Sequence, residues 1–132
     1  MASTPQYANV PRCAIGQIST ANAARDGTGT IGTIFSAGTS GSRIDAINLK
    51  ATGTTTAGMV RLFLHDGTNA RLLTEVPVIP ITPTATLPAF EVQIATNTAD
   101  NILPLIIPTG YSLRASTHNA DTFNIIAIGG DF

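Results

Sequence analysis

The residues of this chain that could do chemistry are few, and their spacing decides against most of it. Gly27-Thr28-Gly29-Thr30-Ile31-Gly32 matches the pattern GxGxxG. That pattern holds a dinucleotide only where it follows a strand and opens a helix whose N-terminus meets the pyrophosphate. Here Thr33, Ile34, Phe35 and Ser36 continue as a strand, so the glycines read as a turn entering it and no cofactor is expected. His65 adjoins Asp66, and His118 lies three residues before Asp121. Neither belongs to a ligand array such as HxxxH, and tight zinc sites need three or four protein ligands. Both read as surface-loop histidines, and no metal site is assigned. Gly38-Thr39-Ser40-Gly41-Ser42 lacks the GxSxG elbow and reads as a flexible turn. Glu75 and Glu91 are the only glutamates, and sequence separation alone does not pair an acid with a base. Asp26-Gly27-Thr28 and Asp66-Gly67-Thr68 echo one another without the DxDxDG of a calcium loop, as two Asp-Gly turns would. No catalytic residue is assigned, and the chain is expected not to be an enzyme.

The elements that would position any site are strands. From Met59 to His65 the residues Val60, Leu62 and Leu64 alternate with Arg61 and Phe63, then Asp66-Gly67-Thr68-Asn69 supplies turn chemistry before a second apolar run. That is how a β-hairpin reads. The same grammar repeats, predicting strands at about 13–19, 29–36, 43–51, 59–65, 70–79, 89–96, 102–107, 111–117 and 123–129. Ala21 to Arg25 offers at most one helical turn. Many short antiparallel strands in 132 residues predict one all-β domain, a sandwich or barrel. Residues 1–12, with Pro5 and Pro11, read as an extended arm that docks on its own subunit or on a neighbour.

Alternation differs from strand to strand. Phe90, Val92 and Ile94 oppose Glu91, Gln93 and Ala95, and Tyr111, Leu113 and Ala115 oppose Ser112, Arg114 and Ser116. Each of these strands is expected to have one buried and one solvent-facing side. In the last strand Ile126 and Ile128 are apolar opposite Phe123, Ile125 and Ala127, which predicts cover on both faces. Between Ala46 and Ile47 the apolar phase slips, as at a β-bulge. Glu75 to Pro83, with prolines at 77, 80 and 83, reads as an edge strand or a crossover between sheets.

Composition bears on partners. Charged residues make up 11% of the chain against about 25% in ordinary soluble domains, with a net charge of -1. Lone folded monomers carry more surface charge, so the chain is expected to work in contact with other subunits. Lys50 is the only lysine and the six arginines are scattered, which disfavours nucleic-acid binding. The first residues lack a basic start and an apolar core, so no secretory signal is read there, and no apolar run approaches the roughly 20 residues of a membrane span. A soluble protein with no membrane partner is expected. Cys13, the only cysteine, reads as a small buried apolar side chain.

An N-terminal arm, a Thr-, Ala- and Gly-rich strand series, and the closing segments from Ile107 to Ser116 and from Phe123 to Phe132 together resemble the capsid decoration, or cement, proteins of tailed bacteriophages. The resemblance implies an antiparallel, jelly-roll-like β-sandwich over residues 13–132. It implies a structural virion protein on the capsid exterior, made in the host cytoplasm and bridging shell subunits. Its partners would be the major capsid protein or other virion subunits, and copies of itself, most simply as a homotrimer. Pro5, Tyr7, Val10, Pro11 and Arg12 in the arm, with Ile126 and Ile128, are the residues expected to make those contacts. A tail, neck or fibre component is the alternative. A carbohydrate-binding sandwich is a weaker one, since the chain has no Trp to stack on sugar rings.

Overall fold

The hairpin at Asp66 is the tip of one long antiparallel ribbon. In the computed structural model, which describes residues 8–95 and 103–132, the tip pairs β4 (Gly58–His65) with β5 (Ala70–Val78). Moving outward along the chain, β3 (Ser42–Ala51) pairs with β6 (Glu91–Ala95) and with β7 (Leu105–Ile107). Next, β2 (Gly32–Ser36) pairs with β8 (Ser112–Thr117), and β1 (Val10–Ile18) with β9 (Phe123–Asp131). Each pair is nested inside the next.

The ribbon is folded over itself into two sheets. Contacts between β3 and β9 join one sheet, in the order β1-β9-β3-β6 with β7 also on β3, while β4 and β8 join the other, β2-β8-β4-β5. The fold is therefore an all-β sandwich of two antiparallel sheets. The core lies between their inner faces, with Phe35, Leu62 and Leu113 from one sheet against Ile44, Ile47, Leu49 and Ile125 from the other. Phe90 and Phe123 meet edge to face at 6.3 Å. Pro77 lies in β5, an edge strand, and the chain after it crosses to the other sheet, as the proline spacing predicts. Thr55 pins that crossover: its hydroxyl donates to the Ile79 carbonyl at 2.8 Å and accepts from the Ile81 N–H at 3.1 Å.

Two local devices set register. At the tip, Gly67 has φ of +97° and Asp66 Oδ1 accepts from the N–H groups of Thr68 and Asn69. The second device is a bulge in β3 between Ile44 and Ala46, one residue before the expected slip. Opposite it, a Cβ on Gly129 would lie 1.8 Å from the Arg43 carbonyl oxygen, so no other residue fits there without movement of the backbone.

Several expectations are corrected. The arm does not run to residue 12, because Val10, Pro11 and Arg12 already belong to β1 and pair with Asp131, Gly130 and Gly129. Pro5 and Tyr7 lie outside the described residues, as do residues 96–102, into which both neighbouring strands were expected to extend. Cys13 is exposed, because it faces outward from an edge strand. On β8, Ser112 and Ser116 are buried, so of the side expected to be wet only Arg114 remains partly exposed. On β9, Ile126 is only half-buried and Ile128 is 45% exposed, so the strand expected to be covered twice is covered once among the described residues.

A β-branched residue at the Gly67 position would be held at positive φ. Gly67→Val is expected to destabilise the protein by about 1–2 kcal/mol. A thermal melt compared with the parent checks this.

Candidate interaction surface

Alternation along β1, β9 and β3 sorts their side chains into those facing the core and those facing away. The outward row Gln17, Asn124, Lys50 and Glu91 is polar, with Gln17 Nε2 donating to Asn124 Oδ1 at 2.8 Å and Lys50 3.5 Å from Glu91. The next row runs Ile15, Ile126, Asn48 and Gln93, and the next begins Cys13, Ile128 and Ala46. Pro11 extends the outward side of β1, and Ile15 is 74% exposed. Pro11, Cys13, Ile15, Ile126 and Ile128 thus form one apolar quarter of the sheet, bounded by polar side chains toward β6. Contiguous exposed apolar surface of this kind is a mark of contact with other molecules.

This divides the residues expected at the interface. Pro11, Ile126 and Ile128 come together on the outward face. Val10 and Arg12 have the opposite parity, and Arg12 is committed within its own chain. Its guanidinium lies 4.3 Å over the Phe35 ring, donates to the Ser36 carbonyl at 3.1 Å and pairs with Asp131 at 2.9 Å. Asp131 also accepts from the Ser42 hydroxyl, which in turn accepts from the Gly38 N–H. Arg12 is a staple between the two sheets. Ile15 and Cys13 were missed as surface residues, although the Cys13-Ile15-Gln17 parity carried the signal once Ala14, Gly16 and Ile18 were placed inward.

The outer face of the other sheet is closed by its own chain. Residues 19–31, between β1 and β2, run across it as a strap that includes the GxGxxG segment up to Ile31, and the strand expected at about 29–36 begins at Gly32. Asn22 holds the strap: its Nδ2 donates to the carbonyls of Thr28 and Thr30, its N–H donates to the Thr117 carbonyl, and its Oδ1 accepts from the Ala24 N–H. Asp26 accepts from the Thr28 N–H as Asp66 does from Thr68, so the Asp-Gly-Thr echo is one turn used twice. On this face Arg61 is 1% exposed. It donates to Glu75 Oε2 at 2.9 Å, lies 3.3 Å from His118 Nδ1 and reaches the Asn22 carbonyl at 3.5 Å. Arg25 of the strap donates to the same Glu75 oxygen at 2.8 Å.

His118 is therefore more than a surface-loop histidine, since one ring nitrogen faces a buried cation. His65 Nδ1 accepts from the Gly67 N–H within the hairpin tip. Among the described residues no three of His, Cys, Asp and Glu gather as a metal site. The Arg25 hydrogen bond, seconded by Arg61, holds the Glu75 carboxyl below its ordinary value of 4.5.

Two outcomes follow from these placements. Because Glu75 binds its proton more weakly when folded, the stability it contributes is full above pH 4.5 and is lost as pH falls through the folded value. Thermal melts across acid pH should show that loss. Glu75→Gln should melt lower at neutral pH, since Arg61 then lacks its counter-charge, and should lose part of the acid dependence. Cys13 should react with a thiol reagent in the folded protein nearly as fast as after unfolding, as checked by absorbance on disulfide exchange.

No protein-family profile, no curated protein and no solved structure matches this chain, so its residues and their geometry carry the case for its function.

Proposed function

We propose that this chain is a structural virion protein that decorates a bacteriophage capsid and stabilises it by bridging neighbouring shell subunits, with no catalytic step. The observation that carries this reading is the uncharged apolar quarter formed by Pro11, Cys13, Ile15, Ile126 and Ile128 on an otherwise ordinary sheet face. Covering such a face contributes about 25 cal/mol per Å² of apolar surface removed from water. A chain with 11% charged residues desolvates at low cost, which suits a protein whose work is contact.

The strand order adds support. Sheets ordered β1-β9-β3-β6 and β2-β8-β4-β5, built from one nested ribbon, support reading the sandwich as a jelly roll. Capsid proteins use that architecture, as do lectins and cupins, so it is the face rather than the fold that favours a structural role. On this reading the partners are the major capsid protein and two further copies of this chain, on the capsid exterior. The N-terminal residues through Tyr7 serve as a second attachment.

Ile15→Lys together with Ile128→Lys tests it. Both side chains are exposed, so the fold should survive with a change within about 0.5 kcal/mol per site. The double variant is expected to lose occupancy on shells, measured by gel densitometry of purified particles, and to sediment as a monomer where the parent is a trimer. Equal occupancy and equal sedimentation of the two proteins would overturn the reading.

A further inference from the structure

The chain enters the sandwich by crossing its open face. Continued straight, β1 would carry Asn9 and Ala8 past Phe132, because Val10 already pairs with Asp131. Instead the chain bends at Asn9, whose N–H donates to the Asp131 carbonyl at 2.7 Å, and Ala8 returns over Gly130. Gly130 shares the outward parity of Ile126 and Ile128, and a Cβ built on it would overlap the Ala8 methyl and lie 2.9 Å from the Val10 carbonyl oxygen. Gly130 is buried, although Ile128, the next residue of that parity, is 45% exposed. The side chain that Gly130 lacks thus leaves a seat for the chain's own N-terminal segment, at the margin of the apolar quarter.

The surroundings of that seat favour one direction for the residues before Ala8. Across the sheet stands Arg43, opposite Gly130 and ion-paired with Asp45 at 2.8 Å, and covering that pair would strip water from both charges. On the other side β1 is the edge of the sheet among the described residues, and a segment leaving over it would bury nothing. Along β9 lie Ile128 and then Ile126, with Ile15 beside Ile126. At a strand rise of about 3.4 Å per residue, Ile126 is about 14 Å from Gly130. Residues 1–7, fully extended, reach about 23 Å, so the length suffices. Met1-Ala2-Ser3-Thr4-Pro5-Gln6-Tyr7 has no charged side chain, and its Met, Pro and Tyr carry the apolar surface that such a face would take from water.

We propose that residues 1–7 fold back along β9 of their own chain and shield Ile126 and Ile128 until a partner displaces them. Cys13, on the edge strand, stays at the open flank. The arm and the partner compete for one face, so assembly costs the arm its contacts there, and the displaced arm is free to make the second attachment. The inference rests on the contact face of the proposed function, but not on the identity of the partner that meets it.

The test compares the full-length protein with a variant lacking residues 2–7, in the absence of shells, so that its failure is distinct from a failure of the capsid reading. Both proteins are followed by the fluorescence of anilinonaphthalene sulfonate, which reports exposed apolar surface, and by sedimentation over a dilution series. The deletion leaves Ala8 and all of β1 in place, so the fold should persist, as a thermal melt checks. It is expected to raise the fluorescence several-fold, or to let the chain assemble at concentrations where the parent sediments as a monomer. A peptide of residues 1–8 added to the truncated protein should reverse that change saturably. Equal fluorescence and equal sedimentation of the two proteins would overturn the proposal, as would a peptide without effect. A parent that assembles more readily than the truncated protein would place the arm on a second copy and overturn it as well.

Discussion

Every strand in this protein is placed by one constraint: a single antiparallel ribbon, closed at the Asp66 turn, is wrapped so that its successive pairs alternate between two sheets. A one-residue slip at the tip would turn every core residue of the ribbon outward, because side chains alternate with a period of two. The turn is accordingly over-determined, by the positive φ of Gly67 and by two N–H groups bonded to one Asp66 carboxylate oxygen. The β3 bulge then corrects the phase where that strand must serve β7 and β6 in succession against β9.

The two outer faces of the sandwich are treated in opposite ways. One is covered by the strap, which carries its own polar satisfaction through Asn22 and supplies Arg25 to the Glu75 that neutralises Arg61. A buried guanidinium is costly unless paired and hydrogen-bonded, so the strap and the ion pair depend on each other. Among the described residues the other face has no such cover. There Ile15 and Ile128 stand exposed beside Cys13, while the charges on β3 and β6 are paired, Lys50 with Glu91 away from these residues and Arg43 with Asp45 on β3 beside Gly130 and Ile128.

Arg12 shows how an expected contact residue becomes a structural one. As part of an arm its charge was free to meet a partner. As the third residue of an edge strand it lies over Phe35 and within reach of Asp131, and its attraction is spent on closing the sandwich.

The sequence by itself determined the strand content, the hairpin at Asp66 to Asn69, the phase slip in β3, the strand after Gly27-Thr28-Gly29 and the edge or crossover role of the proline-spaced segment. These are local properties, fixed by alternation, turn chemistry and the missing N–H of proline. Which outer face is covered was decided only by the tertiary structure. Ser112 and Ser116 have the polarity of solvent-facing residues, yet β8 is an inner strand of its sheet and Ser116 lies buried in it, whereas the isoleucines of β9 have the polarity of a core and face outward. A side chain's type records whether it can be buried, but burial depends on whether a distant segment crosses above it. The thirteen residues 19–31 make that crossing over one sheet, and no periodicity within β8 or β9 encodes where they lie.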